Sequence, residues 1–543
     1  MATPSDMLGP YGFRGLTDFP KNYGDAVQAE NLEWQGDWVQ TRKGSTLIHT
    51  LTFASDKILF QREFRGRTNF QIHVVVALST TDTESYRVQI FRSGEDTLLA
   101  DFSVPFANGR PSYVEYEGRL LLFLPATTDG QFTVWEIFTE APYYQPLVMD
   151  DFPHAGGDTG VYRPVDDPIR GIFGVPYMDR IFAVQDSDPW NVWYSDHDNY
   201  RGWPYENFFS PFGDSNEPLT GLAIFNQQIV SFTRTKISVT KFSGKGLEES
   251  RPLKLTTGAI CQQAIANIGN ELVFLSDDGL LSMDLSGNVT DTLGAAINSK
   301  TLADLKDGFP EASLTYMAAK RQLWLALPAA NKLFVLDLRT GNWSTISWTN
   351  HDNRNRLWSL GTAKDNGVEY PTVSYTTDAH VGVIACYNGT AYSDQHPDGA
   401  SCYRSQWISH STPFVGQSLF RYFNTVWLTL KDCGSRSLRL LWSTKGQVFG
   451  GHTTLEQFVD FPATAPWPMT RVGSAVVGAG TFCAPYLGEQ DWEKSIALRG
   501  VVRGRWIQLA LVGLFSDDRT YTLGWAAKRW RILTRVKSTN REY

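Results

Sequence analysis

Cysteine is scarce in this chain. Its five cysteines, Cys261, Cys386, Cys402, Cys433 and Cys483, are scattered over 543 residues. The number is odd and no two are spaced as CxxC, which argues against a zinc site or a disulfide framework. Reduced thiols in a cytoplasmically assembled protein are expected instead. Long apolar runs are also missing. The longest, such as Leu120–Leu124, are strand-sized and far too short to span a bilayer, so no membrane insertion is expected. The opening "MATPSDMLGPYG" has no basic n-region and no apolar core, so no signal peptide is expected. Positive charge is in deficit: 49 Lys and Arg against 57 Asp and Glu leave a net charge of −8. That argues against a surface built to grip nucleic acid everywhere, while leaving room for a local basic patch.

Catalytic motifs are equally thin. None of the nine histidines has HExxH spacing, and no GxSxG elbow, Walker loop or GxGxxG lies between a strand and a helix. The 57 acidic residues offer too many pairs to single out a glycosidase couple. His197 lies between Asp196 and Asp198, with Asp186 and Asp188 nearby, a set that a cation would suit. The glycine of an EF-hand-like loop is missing, and Asp-rich turns between strands are common. "SDDGLL", Ser276 to Leu281, is close to the Asp-box of sialidase propellers but lacks its closing aromatic; Asp-Gly is also simply a good hairpin turn. Trp343 could stack on a sugar, but a tryptophan at a strand end more often closes a core. No catalytic, cofactor or metal residue is assigned, and no enzyme activity is expected.

What the sequence does hold is aromatics, glycine and proline: 18 Trp, 22 Tyr, 32 Phe, 46 Gly and 26 Pro. These favour many strands and many turns. A unit also repeats. "YEGRLLLFLP" at Tyr116, "YMDRIFAVQ" at Tyr177, "FNQQIVSFT" at Phe225, "IGNELVFLS" at Ile268 and "AKRQLWLAL" at Ala319 each precede a second strand. "NFQIHVVVALS" at Asn69 and "HVGVIACYNGTAY" at His380 extend the series. The spacing of about 43 to 61 residues is that of propeller blades, which cannot bury both faces alone and so stack into a ring. Six or seven blades fit. One helix is expected over Ala296 to Phe309, with Ser299 as N-cap and Leu302 and Leu305 on one face.

After about His410 the texture changes to strands with long loops. Val426, Leu428 and Leu430 alternate with Trp427 and Thr429; Leu438, Leu440 and Trp442 share a face. Trp530, Ile532 and Val536 oppose Arg531, Arg535 and Lys537. A β-sandwich is expected here. Near the other end, "AENLEWQGDWVQTRKGSTLI", Ala29 to Ile48, reads as a hairpin turning at Gln35-Gly36-Asp37, with Trp34 facing Trp38 across the loop. A lone hairpin is marginal in water, so it must pack on something distant. The expected architecture is all-β: a six- or seven-bladed propeller (61–409) inserted into a platform. The arm and hairpin (1–60) and the C-terminal sandwich (410–543) together form that platform.

The order of these pieces resembles the tail hub or nozzle proteins of short-tailed bacteriophages, also described as tail tubular or DNA-stabilisation proteins. The likeness starts at "DAVQAENLEWQGDWVQTRKGSTLI", with Ala29, Asn31, Gly36, Arg42 and Gly44 on the family's A-x-N, glycine-turn and R-x-G pattern. Trp34 and Trp38 lie within the same motif. It continues through "NVWYSDHDNYRGW", "PLTGLAIFNQQIVSFTRTKISVTKFSG" and "TTGAICQQAIANIGNELVFLSDDGLLSMDL". The resemblance implies a structural virion protein with no active site and no cofactor, located in the tail and assembled in the bacterial host cytoplasm. It implies a homo-oligomeric ring, usually of six copies, below the portal and its head-tail adaptor. That ring continues the channel for double-stranded DNA, and tail fibres or spikes dock outside it. An acidic lining would repel DNA within about 8 Å at physiological salt and let it slide. The competing classes are a propeller enzyme that degrades host glycan and a glycan- or receptor-binding module.

Overall fold

The computed structural model describes the chain apart from residues 1–4, 21–22, 24, 68–69, 83, 106, 108, 126–132, 151–159, 164–168, 214–216, 244–245, 348–354, 366, 390–393, 398, 402–404, 411–420, 432–437, 444–456, 462–491, 498–502, 505–506, 514–525 and 537–543. The protein is all-β, a seven-bladed propeller carried on a two-sheet platform. Short alternating apolar strands and tight Gly, Asn and Asp turns make each blade an antiparallel meander.

Blade 2 is Ser112–Tyr116, Arg119–Phe123, Val134–Ile137 and Tyr144–Pro146; blade 3 is Gly171–Tyr177, Arg180–Gln185, Val192–Tyr194 and Phe208–Phe209. Blade 4 is Leu219–Phe225, Gln228–Thr233, Ile237–Ser243 and Gly246–Pro252; blade 5 is Ile265–Asn267, Glu271–Ser276, Gly279–Asp284 and Val289–Thr290. Blade 6 is Ser313–Met317, Gln322–Leu327, Lys332–Asp337 and Asn342–Ile346. Separate apolar clusters fill the gaps between successive blades, for example Leu120, Leu122 and Ile137 against Val74, Val76 and Ile90.

The ring closes through one long strand, Thr46–Arg65. Its first half pairs with Val381–Cys386 and completes blade 7, after Arg356–Asp365 and Val368–Thr376. Its second half opens blade 1, followed by Gln71–Ser79, Tyr86–Arg92 and Leu98–Val104. A seam between residues more than three hundred positions apart thus holds the ring shut. The expected boundary at residue 60 falls inside this strand, so residues 46–60 are propeller and not platform. The unit at His380 is not a hairpin of its own; it supplies the third strand of blade 7.

The platform grows from the edge of blade 6. Asn342–Ile346 pairs in parallel with Ala26–Glu30, which pairs with Gln406–Ser409, then Gln508–Gly513, Leu438–Ser443 and Gln457–Phe461. Pairing of Gln406–Ser409 puts the platform's return before residue 410. The second sheet runs Leu32–Gln35, Trp38–Thr41, Ala526–Val536, Arg421–Lys431 and Trp492–Ala497. Ser5–Gly12 also pairs with Ala526–Val536 in this sheet. Trp34, Val39, Trp407, Phe423, Val426, Leu428, Leu440, Leu511, Trp530 and Ile532 form the core between the sheets, continuous with that of blades 5 and 6. Val426 and Leu428 face this core as expected; the side chains of Leu430, Leu438, Trp442, Arg535 and Val536, and residue Lys537, lie outside the described set.

The expected helix is irregular. A wide turn over Asn298–Leu302 runs into a tight one over Ala303–Glu311. Ser299 does not cap it. The carboxylate of Asp18 does, accepting from Lys300 N (2.9 Å), Thr301 N (3.1 Å), Ser299 Oγ (3.2 Å) and Thr301 Oγ1 (2.6 Å). A distant acid replaces the local cap because the segment packs against the arm, where Asp18 N also donates to Ala296 O.

Candidate functional site: the junction of arm, seam and platform

Asn31 is the corner at which the arm leaves one platform sheet for the other. It sits between Ala26–Glu30 and Leu32–Gln35 with φ of 54°. Asparagine tolerates this left-handed conformation better than most residues. Its backbone N donates to Thr345 O (2.7 Å), its carbonyl accepts from Arg42 N (3.0 Å), and its Nδ2 donates to Ser347 Oγ (2.8 Å). Its Oδ1 accepts from both Arg42 Nε (2.9 Å) and Ser347 N (3.2 Å). One side chain therefore ties the arm to blade 6 and fixes Arg42.

Arg42 is 4% exposed and makes a two-pronged pair with Asp394: Nη1 to Oδ1 at 3.0 Å and Nη2 to Oδ2 at 2.7 Å. Nη1 also donates to Lys43 O, and the guanidinium lies 5.1 Å from the Tyr387 ring centroid. Asp394 accepts further bonds from Ser45 N and Ser45 Oγ, both at 2.9 Å. The buried charges are thus paired and largely hydrogen-bonded, as burial requires. Gly44 meets Gly389 backbone to backbone: Gly389 N donates to Gly44 O, and a Cβ on Gly389 would lie 2.5 Å from that oxygen.

The hairpin exists, but its two tryptophans do not face each other. The register is Trp34 to Val39 and Gln35 to Trp38, around a two-residue Gly36-Asp37 turn with Gly36 at φ 61°. With a loop of two residues instead of three, strand alternation puts Trp34 and Val39 on the buried face and Trp38 on the other. Trp34 is 4% exposed and its Nε1 donates to Phe13 O (3.3 Å). Trp38 is half-buried, with Lys528 Nζ 5.5 Å from its ring centroid.

The position of Asn31 yields a prediction. Asn31→Ala loses the left-handed preference, worth about 1–2 kcal/mol. It also strips partners from buried groups, at about 1–3 kcal/mol each. Denaturant unfolding should show a clear fall in midpoint, and Asn31→Gly, which keeps the backbone geometry, should recover only part of it.

The propeller axis holds a cavity of about 400 Å3 bordered by blades 1, 2, 3, 5, 6 and 7. Arg62 Nη2 donates to Glu115 Oε1 (2.9 Å), Nη1 to Thr362 Oγ1 (3.2 Å), and the guanidinium lies over Tyr113. Gln262 is spent on Leu222, donating to its O and accepting from its N. Glu115 is the sole carboxylate among the described lining residues, and it is paired.

The other sequence candidates do not converge. Asp188 accepts from Asn191 Nδ2 and Trp193 Nε1 (2.8 Å); Asp196 is buried and accepts from Tyr162 OH and His197 N. Asp186 is exposed. Asp198 Oδ2 lies 2.8 Å from His197 Nδ1, and Asp179 Oδ2 lies 3.9 Å from Nε2, an outward-facing trio with donor atoms within 4.8 Å of one another. Ser276–Leu281 is a tight turn closed by Ser276 Oγ, with Asp277 paired to Arg234 of blade 4. Trp343 is 1% exposed and its Nε1 donates to Leu293 O: it is core, not a sugar platform. Cys261 and Cys386 are free thiols; Cys402, Cys433 and Cys483 lie outside the described residues.

Sequence reasoning missed Asp394, Asp18 and Gly15, whose backbone N donates to Asn342 Oδ1 of blade 6 (3.0 Å). Their partners lie hundreds of residues away, and only an unpaired buried arginine could have pointed to Asp394. A buried carboxylate between blades 2 and 3, Glu136, was also missed, because its partners lie in the next blade, 64 and 65 residues on. Arg201 Nη2 donates to it (2.7 Å), as does Tyr200 OH, whose pKa is pushed up to about 12 by burial and by this carboxylate.

No protein-family model matches the chain, and no curated protein matches it in sequence. Among solved structures it is similar to YCF48 bound to D1 peptide, at TM-score 0.35 and 8% identity, over 66% of this chain and 97% of that one. It is also similar to streptogramin B lyase, at TM-score 0.32 and 11% identity, over 62% of this chain and 96% of that one.

Proposed function

We propose that the chain is the structural hub, or nozzle, of a short-tailed bacteriophage tail, forming a ring of six copies below the head-tail adaptor. The observation that carries this reading is the topology. Both ends of the chain enter one platform, the arm supplies a central strand to one of its sheets, and that sheet is continuous with blade 6. Such a subunit suits a load-bearing part, because propeller and platform cannot separate without breaking a sheet. On this reading the platform makes the ring contacts and the propellers project outward, where tail fibres or spikes dock. The genome passes at the centre of the ring, between subunits. A cavity of about 400 Å3 on a propeller axis is pocket-sized and admits no duplex.

Chemical cross-linking of the assembled protein tests the arrangement. Links between subunits should concentrate on platform lysines such as Lys528, and should be absent between Lys241 of one blade 4 and Lys241 of another. Propeller-to-propeller links as the main product would contradict it. The enzyme alternative would need convergent carboxylates, whereas the described cavity lining offers Glu115 alone, paired to Arg62. Incubation with host surface polysaccharide should leave chain length unchanged; reproducible shortening would favour the enzyme.

A further inference from the structure

The seam that closes the ring contains two buried histidines. His49 lies on the closing half of Thr46–Arg65, opposite Ile384 of blade 7. His73 lies on the second strand of blade 1, opposite Glu63 on one side and Phe91 on the other. They are 1% and 0% exposed, and their ring centroids are 5.0 Å apart, edge to face. His49 also stacks on Phe91 at 4.6 Å. None of the four ring nitrogens has a hydrogen-bond partner among the described residues. Around them are Leu51, Ile58, Val75, Trp358 and Ile384, the apolar contact between blades 7 and 1. Two titratable rings without hydrogen bonds are an unusual choice for a contact that apolar residues could fill.

We propose that this pair is an acid-sensitive latch: protonation of His49 and His73 releases the closing strand from blades 7 and 1 and opens the ring at its seam.

Burial makes protonation costly while the seam is closed, and the carboxylates around the pair are engaged by other donors. The turn of blade 1 offers Asp96, whose Oδ1 is 3.9 Å from His49 Nδ1, is largely exposed, and already accepts from Thr50 N at 3.1 Å. The inner half of the closing strand offers Glu63 and Arg62. Glu63 is engaged by Ser93 Oγ and by Lys364 N of blade 7, and Arg62 is turned to Glu115. On the third strand of blade 1, Arg92 pairs with Glu95 and Arg87 with Asp101. Blade 7 offers the Cys386 thiol, pushed up to about 12 by burial and so neutral, and Arg356, which lies over the Trp358 ring at 4.4 Å as Lys57 of the closing strand does at 5.6 Å. His49 is held down to about 4 by burial. His73 is held well below 6.5, first by burial and then by His49 and Arg62. The sign follows. In the open seam both rings titrate near 6.5, so opening takes up protons below that pH. The closed form keeps its full advantage above 6.5 and loses it as the pH falls toward 4. With two protons taken up, the open population rises by up to about a hundredfold per pH unit in that window.

Cys386 is a built-in reporter, because it pairs with Thr46 under the closing strand and is 1% exposed. The full-length protein is treated with a pyridyl disulfide that reacts at acid pH, and labelled sites are read by peptide mass spectrometry. Labelling of Cys386 should accelerate steeply from pH 6.5 to 5, while Cys261 near the axis should not follow. A flat Cys386 profile, or a parallel rise at Cys261, would overturn the latch. His49→Phe with His73→Phe should abolish the acid rise, and a rise that survives would also overturn it. Should that variant fail to fold, histidine ring-proton exchange on the unmodified protein decides. Two rings that gain protons together below pH 6.5, in step with the exposure of Cys386, support the latch; rings that stay neutral while Cys386 becomes reactive, or that titrate near 6.5 while it stays protected, refute it.

Discussion

Asp394→Ala is expected to cost about 3–5 kcal/mol, because it leaves the Arg42 guanidinium buried without its carboxylate. The loss reaches beyond the ion pair. Ser45 N and Oγ lose their acceptor at the start of the closing strand, and Arg42 loses the contact that steadies it against Asn31. Urea unfolding monitored by tryptophan fluorescence measures the effect, and limited proteolysis should cut first near residues 43–46. The double variant Arg42→Met with Asp394→Leu provides the control. Replacing a buried pair by apolar residues of similar volume is often close to neutral, so most of the loss should return. If Asp394→Ala alone were harmless, the junction would not depend on this pair.

Gly15→Val should be comparably severe. A Cβ at Gly15 would lie 2.4 Å from Trp343 N and 2.7 Å from Trp343 O, both backbone atoms of the outer strand of blade 6. No rotamer change relieves such a contact. The arm must move away, which breaks Leu16 N to Trp343 O (2.8 Å) and Gly15 N to Asn342 Oδ1 (3.0 Å). Overpacking costs about 1–3 kcal/mol and more where backbone must shift. The loss should therefore exceed about 3 kcal/mol and lift protection from exchange in Ala26–Glu30 and Asn342–Ile346 together. A folded Gly15→Val protein with both strands protected would mean that arm and blade 6 are not coupled there.

The blades were legible because their signal is local. Leu120 and Leu122 pack toward blade 1 while Leu121 and Phe123 pack toward blade 3, and tight Gly, Asn or Asp turns punctuate the meanders. The insertion of the propeller into a platform was legible from the orphan hairpin, which had no neighbour in sequence to pack on. Its inner geometry was less so. One residue in loop length decides whether Trp34 meets Trp38 or Val39, and sequence does not fix that length when Gln35, Gly36 and Asp37 all suit a turn. The continuous strand Thr46–Arg65 was hidden because nothing in "TLTFASDKILF" marks the crossing from blade 7 to blade 1. Arg42 was picked out as part of the motif, but its acceptor, Asp394, depends on a fold that brings position 394 to position 42. Asp18 at the irregular helix and His49 beside His73 belong to the same class of long-range juxtaposition.

The central proposal, a ring-forming structural subunit, meets its most direct test in native mass spectrometry of the full-length chain over a range of concentrations. The expected result is a closed assembly near six times 61.0 kDa, replaced by monomer when Asp394→Ala loosens the junction. A single species at 61.0 kDa at every concentration, stable in the presence of the head-tail adaptor, would contradict it.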